Sequence, residues 1–518
     1  MDDERPPSLW LGMWKRFLIG GALIVLLAGG ATATLALNTA SDLAHKIFAN
    51  AIHPPPGVVV AEYNGGPKTY LILGSDRRIG SKDAFDRNNA AHSDTILLVR
   101  FDPAQGQTSV LSIPRDLLVH SIIASNGGGV YADEKINAAY TIGSLHGGVR
   151  GAMVLAAQTI EREIFPNLKL NGIVDVSFSG FIKVVDTLGC VYVNVDHRYY
   201  HVNTGSPEEN YSEINLQPGY QKLCYENALS YVRYRHDDSD FVRVARQQDF
   251  MRALRNQISP ENVIGQIAAV ANAVGRAIST AGFSASSSEV IELAKLVGFS
   301  QSKPLRQVKF QAANVDAILK GISYVTTTPA LAQATLKDFL HGHQRVTTPK
   351  PSAPGGQNQI KGHHHHSSSA SSAASIGLYP NPGSRQGEVV KAAVEVPFPV
   401  LYPSLETGPA MQQQTRAYTL EDPQKHRHHA YVVVWQQNSI GGYYDLEGTD
   451  WLKPPIINHP DETRQIGGSS YMLFNDGGHI HMVAWRQGRV LYWLTNTLLE
   501  DLTNAQMVAI ARSAQPLH

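Results

Sequence analysis

TYLIL (Thr69–Leu73), TILLVRF (Thr95–Phe101) and SVLSI (Ser109–Ile113) are three short runs rich in β-branched and aromatic residues, separated by Gly, Asp, Asn and Pro. Runs of this kind read as strands, and three in close succession predict an antiparallel meander. Working outward, GAMVLAAQTIEREI (Gly151–Ile164) has apolar residues at helical spacing. Ile173–Phe178 and CVYVNV (Cys190–Val195) read as strands around a helix near Phe181–Leu188, while Arg243–Ile258 and Glu289–Val297 read as helices. Strands and helices alternate without a regular βαβ rhythm. The expected fold class is therefore mixed α/β, a central mixed sheet flanked by helices.

The 518 residues exceed what one core holds, since single cores stop growing near roughly 250 to 300 residues. At the N-terminus, FLIGGALIVLLAGGATATLAL (Phe17–Leu37) carries no charge and is long enough to span a bilayer, which takes roughly 20 residues. Arg5, Lys15 and Arg16 precede it and Lys46 follows, so the positive-inside rule places residues 1–16 in the cytoplasm and the bulk of the chain outside a cell membrane. A cleaved signal peptide is the rival reading. Residues 38–66, with Pro54, Pro55 and Pro56, are expected to be an extended stalk.

A first folded unit is expected over 67–258, with a helical extension over 259–346. Residues 347–377 collapse to Pro, Gly, Ser, Ala and His and read as a disordered linker. Its run His363–His366 is taken as linker. A separate small α+β domain over 378–518 is expected from AYVVVW (Ala430–Trp435), Tyr471–Phe474, His479–Trp485 and Val490–Leu494, closed by a helix capped at Thr503. Trp435, Trp451, Trp485 and Trp493 serve either a small core or a sugar-stacking face, and core is the preferred reading.

Lys+Arg and Asp+Glu both number 44, which argues against a nucleic-acid-binding tail and makes any anion site local. Cys190 and Cys224 are the two cysteines. In an oxidising exterior they are expected to form one disulfide.

Charged residues gather at the strand ends. Asp76 follows the first run, Asp94 precedes the second and Arg115 follows the third, so a meander brings them to one side. Two carboxylates with an arginine suit a hard divalent ion and a phosphate; a surface salt bridge is the plain alternative. Further on stands YVRYRHDDSDFVRVARQQ (Tyr231–Gln248). If VRYR is extended, Arg233 and Arg235 share a face; in the helix after it, Arg243 and Gln247 are neighbours. Asp237, Asp238 and Asp240 offset part of that charge, and a diphosphate would complete the balance. A solvated helix face laced with Asp–Arg pairs fits the same residues.

LILGSD (Leu71–Asp76), HSDTILLVRFDP (His92–Pro103), LSIPRD (Leu111–Asp116), KINAAY (Lys135–Tyr140) and YVRYRHDDSDFVRVARQQ (Tyr231–Gln248) together resemble the LytR-CpsA-Psr family of cell-envelope proteins. The resemblance implies a membrane-anchored phosphotransferase that moves a glycopolymer from a polyprenyl-diphosphate carrier to peptidoglycan. It implies Mg²⁺ on Asp76 and Asp94, a diphosphate held by Arg115, Arg233, Arg235, Arg243 and Gln247, and Asp240 as a group that orients the arginines, with a base as the second choice for it. The family's usual arginine two residues before the second metal aspartate is His92 here, which would weaken one phosphate contact or make it pH-dependent. No serine or cysteine stands in a nucleophile motif, so direct attack by a sugar hydroxyl is expected. A cell-envelope regulator of the transcriptional-attenuator type and a non-catalytic wall-binding protein are the alternatives.

Overall fold

In the computed structural model the chain enters its first sheet at Ala51–Ile52 (β1), inside the stretch expected to be a stalk. It then lays down the meander as Lys68–Ser75 (β2), Ser93–Asp102 (β3) and Gln107–Ser112 (β4). The structure describes residues 41–342 and 373–517, apart from 43, 47, 49–50, 61–65, 78–90, 125–127, 204–212, 235–239, 258–268, 270–277, 285, 303–304, 382–385, 439–441 and 477. The pairs Leu71↔Leu98 and Leu98↔Leu111 fix the antiparallel register. These strands are apolar on both faces because both faces are covered.

One cover is Ile136–Thr159 (α1), followed by a π-helical turn over Ile160–Ile164. The helix expected over Gly151–Ile164 is the second half of this element. Gly147 and Gly148 break it, Gly148 taking φ 58°, a conformation costly for residues with a Cβ. Met153, Ala156, Ala157 and Ile160 pack on Leu71, Leu98 and Leu111.

Gly172–Ser177 (β5) runs parallel beside β2. The Ser177 side chain then accepts a hydrogen bond from the Gly180 amide, 3.2 Å, and so caps Phe178–Thr187 (α2). Val191–Val195 (β6) pairs with Gly219–Leu223 (β7) outside the main sheet. The expected disulfide joins Cys190 to Cys224 across the base of that pair. A loop of this length contributes about 4 kcal/mol in the chain-entropy picture.

Tyr225–Arg233 (α3) and Asp240–Gln257 (α4) follow. The extended VRYR segment is thereby corrected: Arg233 is the last helical residue, and the chain turns extended only at Tyr234 (φ −56°, ψ 135°). The alternation that suggested a strand is the end of an amphipathic helix whose Ala228, Tyr231 and Val232 lie in a core with Phe250 of α4. Arg235 and Asp237 to Asp238 lie outside the described residues.

The stretch expected to be a helical extension supplies two strands to the sheet, Ile278–Ala281 (β8) and Leu305–Val308 (β9), along with Ser287–Ser302 (α5) and Pro329–His341 (α6). The first sheet is thus seven-stranded and mixed, in the order β1-β8-β5-β2-β3-β4-β9.

The expected single-pass topology needs correction. Among the described residues no helix is long and apolar enough to cross a membrane. The segment 17–37 lies outside the described residues, as do the linker stretch 343–372 and its histidine run.

The C-terminal unit is a seven-stranded antiparallel sheet of Met411–Glu421 (β10), Arg427–Gln436 (β11), Tyr443–Thr449 (β12), Glu462–Ile466 (β13), Ser469–Asp476 (β14), His479–Gln487 (β15) and Val490–Thr495 (β16), ordered β10-β11-β12-β16-β15-β14-β13. One face packs on Asn504–Ser513 (α7), where Thr503 and Gln506 form a capping box. The other face shares a core with Tyr192 of β6 and Tyr220 of β7. It is therefore docked on the first unit rather than separate from it. Trp435, Trp451, Trp485 and Trp493 are all buried, so they are core residues and form no exposed stacking face.

Candidate functional site

The meander's register contains one irregularity, and it falls on the site. Gly74 pairs with Thr95 and Ser75 with Ser93, leaving Asp94 as the extra residue on β3. A bulge of this kind re-aims a side chain. Gly74 is required opposite it, because a Cβ there would come within 2.9 Å of the Thr95 Cβ. Asp94 Oδ1 accepts a hydrogen bond from Arg115 Nη1 at 2.5 Å, so the end of the third strand meets the start of the second as expected.

Asp94 and Arg115 stand at the mouth of a cavity of about 780 Å³, with Arg233, Arg243 and Gln247 also lining it. Burial alone would raise the Asp94 carboxyl, but Arg115, then Arg243 and Arg233, outweigh it and hold Asp94 below the usual carboxylate range. Arg233 rests its guanidinium 4.1 Å from the Phe178 ring centroid. Gln247 Nε2 donates to Thr95 Oγ1 at 3.0 Å and to the Val232 carbonyl at 3.1 Å, tying α4 to both β3 and α3. The rest of the lining is mostly apolar: Leu97, Val176, Phe181, Val184, Phe250 and Leu254 among others. The helical stretch 151–164 packs in the core of the first sheet, whereas Val174, Val176, Phe178, Phe181, Val184 and Val185 supply part of the cavity wall.

Asp76 lies at the end of β2, where its amide donates to the His92 carbonyl (3.1 Å) and its Oδ1 accepts from the His92 amide (2.6 Å). It does not line the cavity. The His92 imidazole, 3.7 Å from Asp76 Oδ2, is shifted up mainly by its hydrogen bond to Asp76, against burial. Among the described residues no group of three or more histidine, cysteine, aspartate or glutamate side chains could hold a metal ion. Any divalent ion here would rely on one or two carboxylates and complete its shell with phosphate oxygens and water, the habit of Mg²⁺. Asp240 opens α4.

Two supporting groups escape a reading of sequence. Arg246, fully buried, donates to the carbonyls of Tyr234 (2.7 Å) and Tyr231 (3.4 Å) and to Tyr199 Oη (3.1 Å). It thereby fixes the α3 terminus that carries Arg233. Its position three residues after Arg243 is the signal the sequence offers, but that spacing does not show that the side chain faces the α3 terminus. Buried Asp175 accepts from Arg77 Nη2 (2.8 Å) and Tyr140 Oη (2.9 Å) just behind Asp76.

Residues 33–338 match the family described as LytR_cpsA_psr. Among curated relatives, a polyisoprenyl-teichoic acid–peptidoglycan teichoic acid transferase TagU of Halalkalibacterium halodurans is 31% identical over 216 residues, 41% of this chain and 60% of that protein. TagT of Bacillus subtilis, of the same description, is 29% identical over 257 residues, 49% of this chain and 72% of TagT. The biofilm regulatory protein A of Streptococcus mutans is 27% identical, covering 54% of this chain and 63% of its own length. Against the first relatives the chain spans about three fifths of their length. Among solved structures, B. subtilis TagV aligns over 53% of this chain and 96% of its own at 24% identity and a TM-score of 0.40. The match to more than half of the chain settles the family: this protein belongs to the LytR_cpsA_psr family.

Proposed function

We propose that this protein is a phosphotransferase that moves a glycopolymer from a polyprenyl-diphosphate carrier to a peptidoglycan acceptor. At family level it is related to transferases of cell-wall assembly. The observation that carries the finer reading is the two-part lining of the cavity, which combines Arg115, Arg233, Arg243 and Gln247 with aliphatic and aromatic walls. A diphosphate attached to a prenyl chain has the same two parts.

In this reading Arg115, Arg233, Arg243 and Gln247 grip the diphosphate, with Arg235 beside Arg233 in sequence and Asp240 orienting the arginines. The acceptor sugar hydroxyl attacks the phosphorus nearer the polymer sugar. Its oxygen forms the new P–O bond, the bridging P–O bond breaks so that prenyl phosphate leaves, and the hydroxyl proton passes to solvent. The arginines stabilise charge on the transferring phosphoryl and on the departing phosphate. Mg²⁺, held by Asp94 with Asp76, would neutralise phosphate charge. Asp94 suits that role because its neighbours keep it ionised.

The test is release of prenyl phosphate from a synthetic glycosyl prenyl diphosphate with Mg²⁺ and a peptidoglycan acceptor. Turnover should fall about 10²- to 10³-fold in Arg233→Ala and in Asp94→Ala. Unchanged turnover in both would exclude the assignment.

A further inference from the structure

Helix α4 has two working stripes. Arg243, Gln247, Met251 and Leu254 line the candidate site. Asp249, Arg252, Ala253 and Asn256 line a second, smaller cavity against the C-terminal unit. Each set follows the three- and four-residue spacing of one helix face. The helix is thus a shared wall between site and seam.

Beside the apolar core that Tyr192 and Tyr220 share with the C-terminal sheet, the seam carries polar groups with defined partners. Arg252 Nη2 meets Asp476 Oδ2 of β14 at 2.8 Å, while its Nη1 meets Asp249 Oδ1 at 3.3 Å. Asp476 also accepts from the Gln307 amide of β9 at 2.7 Å, so one carboxylate of the C-terminal unit bridges α4 and the first sheet. His481 Nε2 lies 3.4 Å from Asp249 Oδ1. At the far end of α4, Asn458 Nδ2 donates to the Asn256 carbonyl at 3.0 Å. Beside it, Asn194 Nδ2 donates to Asp445 at 3.1 Å, and Tyr220's amide donates to Glu447 at 3.0 Å. Simple packing of two units does not need a charged triad on the helix that carries two site residues.

We propose that the C-terminal unit positions the site: its dock on α4, centred on Arg252 and Asp476, holds Arg243 and Gln247 where the diphosphate binds. The proposal rests on the diphosphate reading above. Arg252 is then a positioning residue, acting through the helix and not on substrate. Without its cation, Asp249 and Asp476 would face each other in a largely buried place, and breaking such an arrangement loosens the dock. Loosening the dock frees the helix that Gln247 ties to Thr95 and Val232.

The experiment uses the full chain and two readouts: amide hydrogen exchange across α4, and calorimetric binding of farnesyl diphosphate with Mg²⁺. Arg252→Gln should speed exchange at residues 243–248 about tenfold and weaken farnesyl diphosphate about tenfold, while exchange in β11 and β16 stays slow. Asn458→Ala, a mild change on the C-terminal unit itself, should move both readouts in the same direction by about threefold. It covers the case in which Arg252→Gln does not fold. Unchanged α4 exchange, or faster exchange with unchanged affinity, would overturn the proposal. Arg243→Ala separates the two ideas. If it binds farnesyl diphosphate as the parent does, the diphosphate reading fails, while the exchange result still decides whether the seam holds the helix.

Discussion

Two clusters of arginine and carboxylate flank the same helix, α4, and they are built in opposite ways. At the cavity mouth, Asp94 is the one carboxylate among the described lining residues, against Arg115, Arg233 and Arg243. At the seam, Arg252 stands between Asp249 and Asp476, with Glu500 near. The electrostatic outcomes differ in sign: Asp94 is held low, whereas burial pushes Asp249 and Asp476 up to about 6 against the pull of Arg252. Cations in excess round an open cavity make a site for an anion. Carboxylates in excess inside a closed seam make a joint whose strength depends on protonation.

The largest expected effect is at the support behind the mouth. Arg246→Met leaves the Tyr231 and Tyr234 carbonyls and Tyr199 Oη without their buried donor and lessens the positive charge near Asp196, and stability measured by denaturant titration should fall by about 3 to 5 kcal/mol. A loss under 1 kcal/mol would mean that Arg246 does not brace the site. Next comes the mouth itself: Arg233→Ala should cut prenyl phosphate release by about 10²- to 10³-fold while near-ultraviolet circular dichroism is kept. That separation of activity from fold is what distinguishes mouth from brace.

The seam should respond to pH in a direction fixed by its shifts. Folded-state values near 6 lie above the ordinary aspartate range, so this contribution is fully present below about pH 4 and is lost as pH rises through about 6. The groups facing the pair are Arg252, Lys309, Glu500, Asp196 and His481, and burial holds His481 well below its usual range. Between pH 7.5 and 5 the melting temperature of the C-terminal unit should rise by about 2 to 4 °C, and Asp249→Asn should flatten that rise. An identical slope in the variant would assign the pH dependence elsewhere.

The smallest effect is expected at His92, half-exposed beside Asp76. Because its value is raised, its positive charge persists to higher pH than in a free imidazole and then fades. Farnesyl diphosphate binding should weaken about two- to fivefold across that titration. His92→Arg should remove this pH dependence, and a persisting slope would clear His92 of any phosphate contact.

The meander was readable from sequence because Leu71, Leu98 and Leu111 lie in runs with no competing period, and the strand-end charges follow from antiparallel order alone. Asp94's aim was not readable, since it depends on a bulge opposite Gly74 that alternation cannot show. Arg233 was placed on a strand because Val232 and Tyr234 alternate with arginines, yet Arg246 and the packing of Tyr231 keep that segment helical. The docking of the C-terminal unit is not legible in the sequence for a similar reason. Tyr192 and Tyr220 look like ordinary core residues of the first unit, and only tertiary structure shows them covering the second sheet. Arg252 and Asp476 are 224 residues apart, beyond any local pattern.

The measurement that bears most directly on the mouth as a lipid-diphosphate site is a three-way binding comparison with Mg²⁺ present, using farnesyl diphosphate, inorganic pyrophosphate and farnesol. The arginines and the apolar walls of the cavity predict that farnesyl diphosphate binds at least about tenfold tighter than either half, and that Arg243→Ala erases its advantage over farnesol. Equal affinity for farnesyl diphosphate and farnesol in the parent protein would contradict the account.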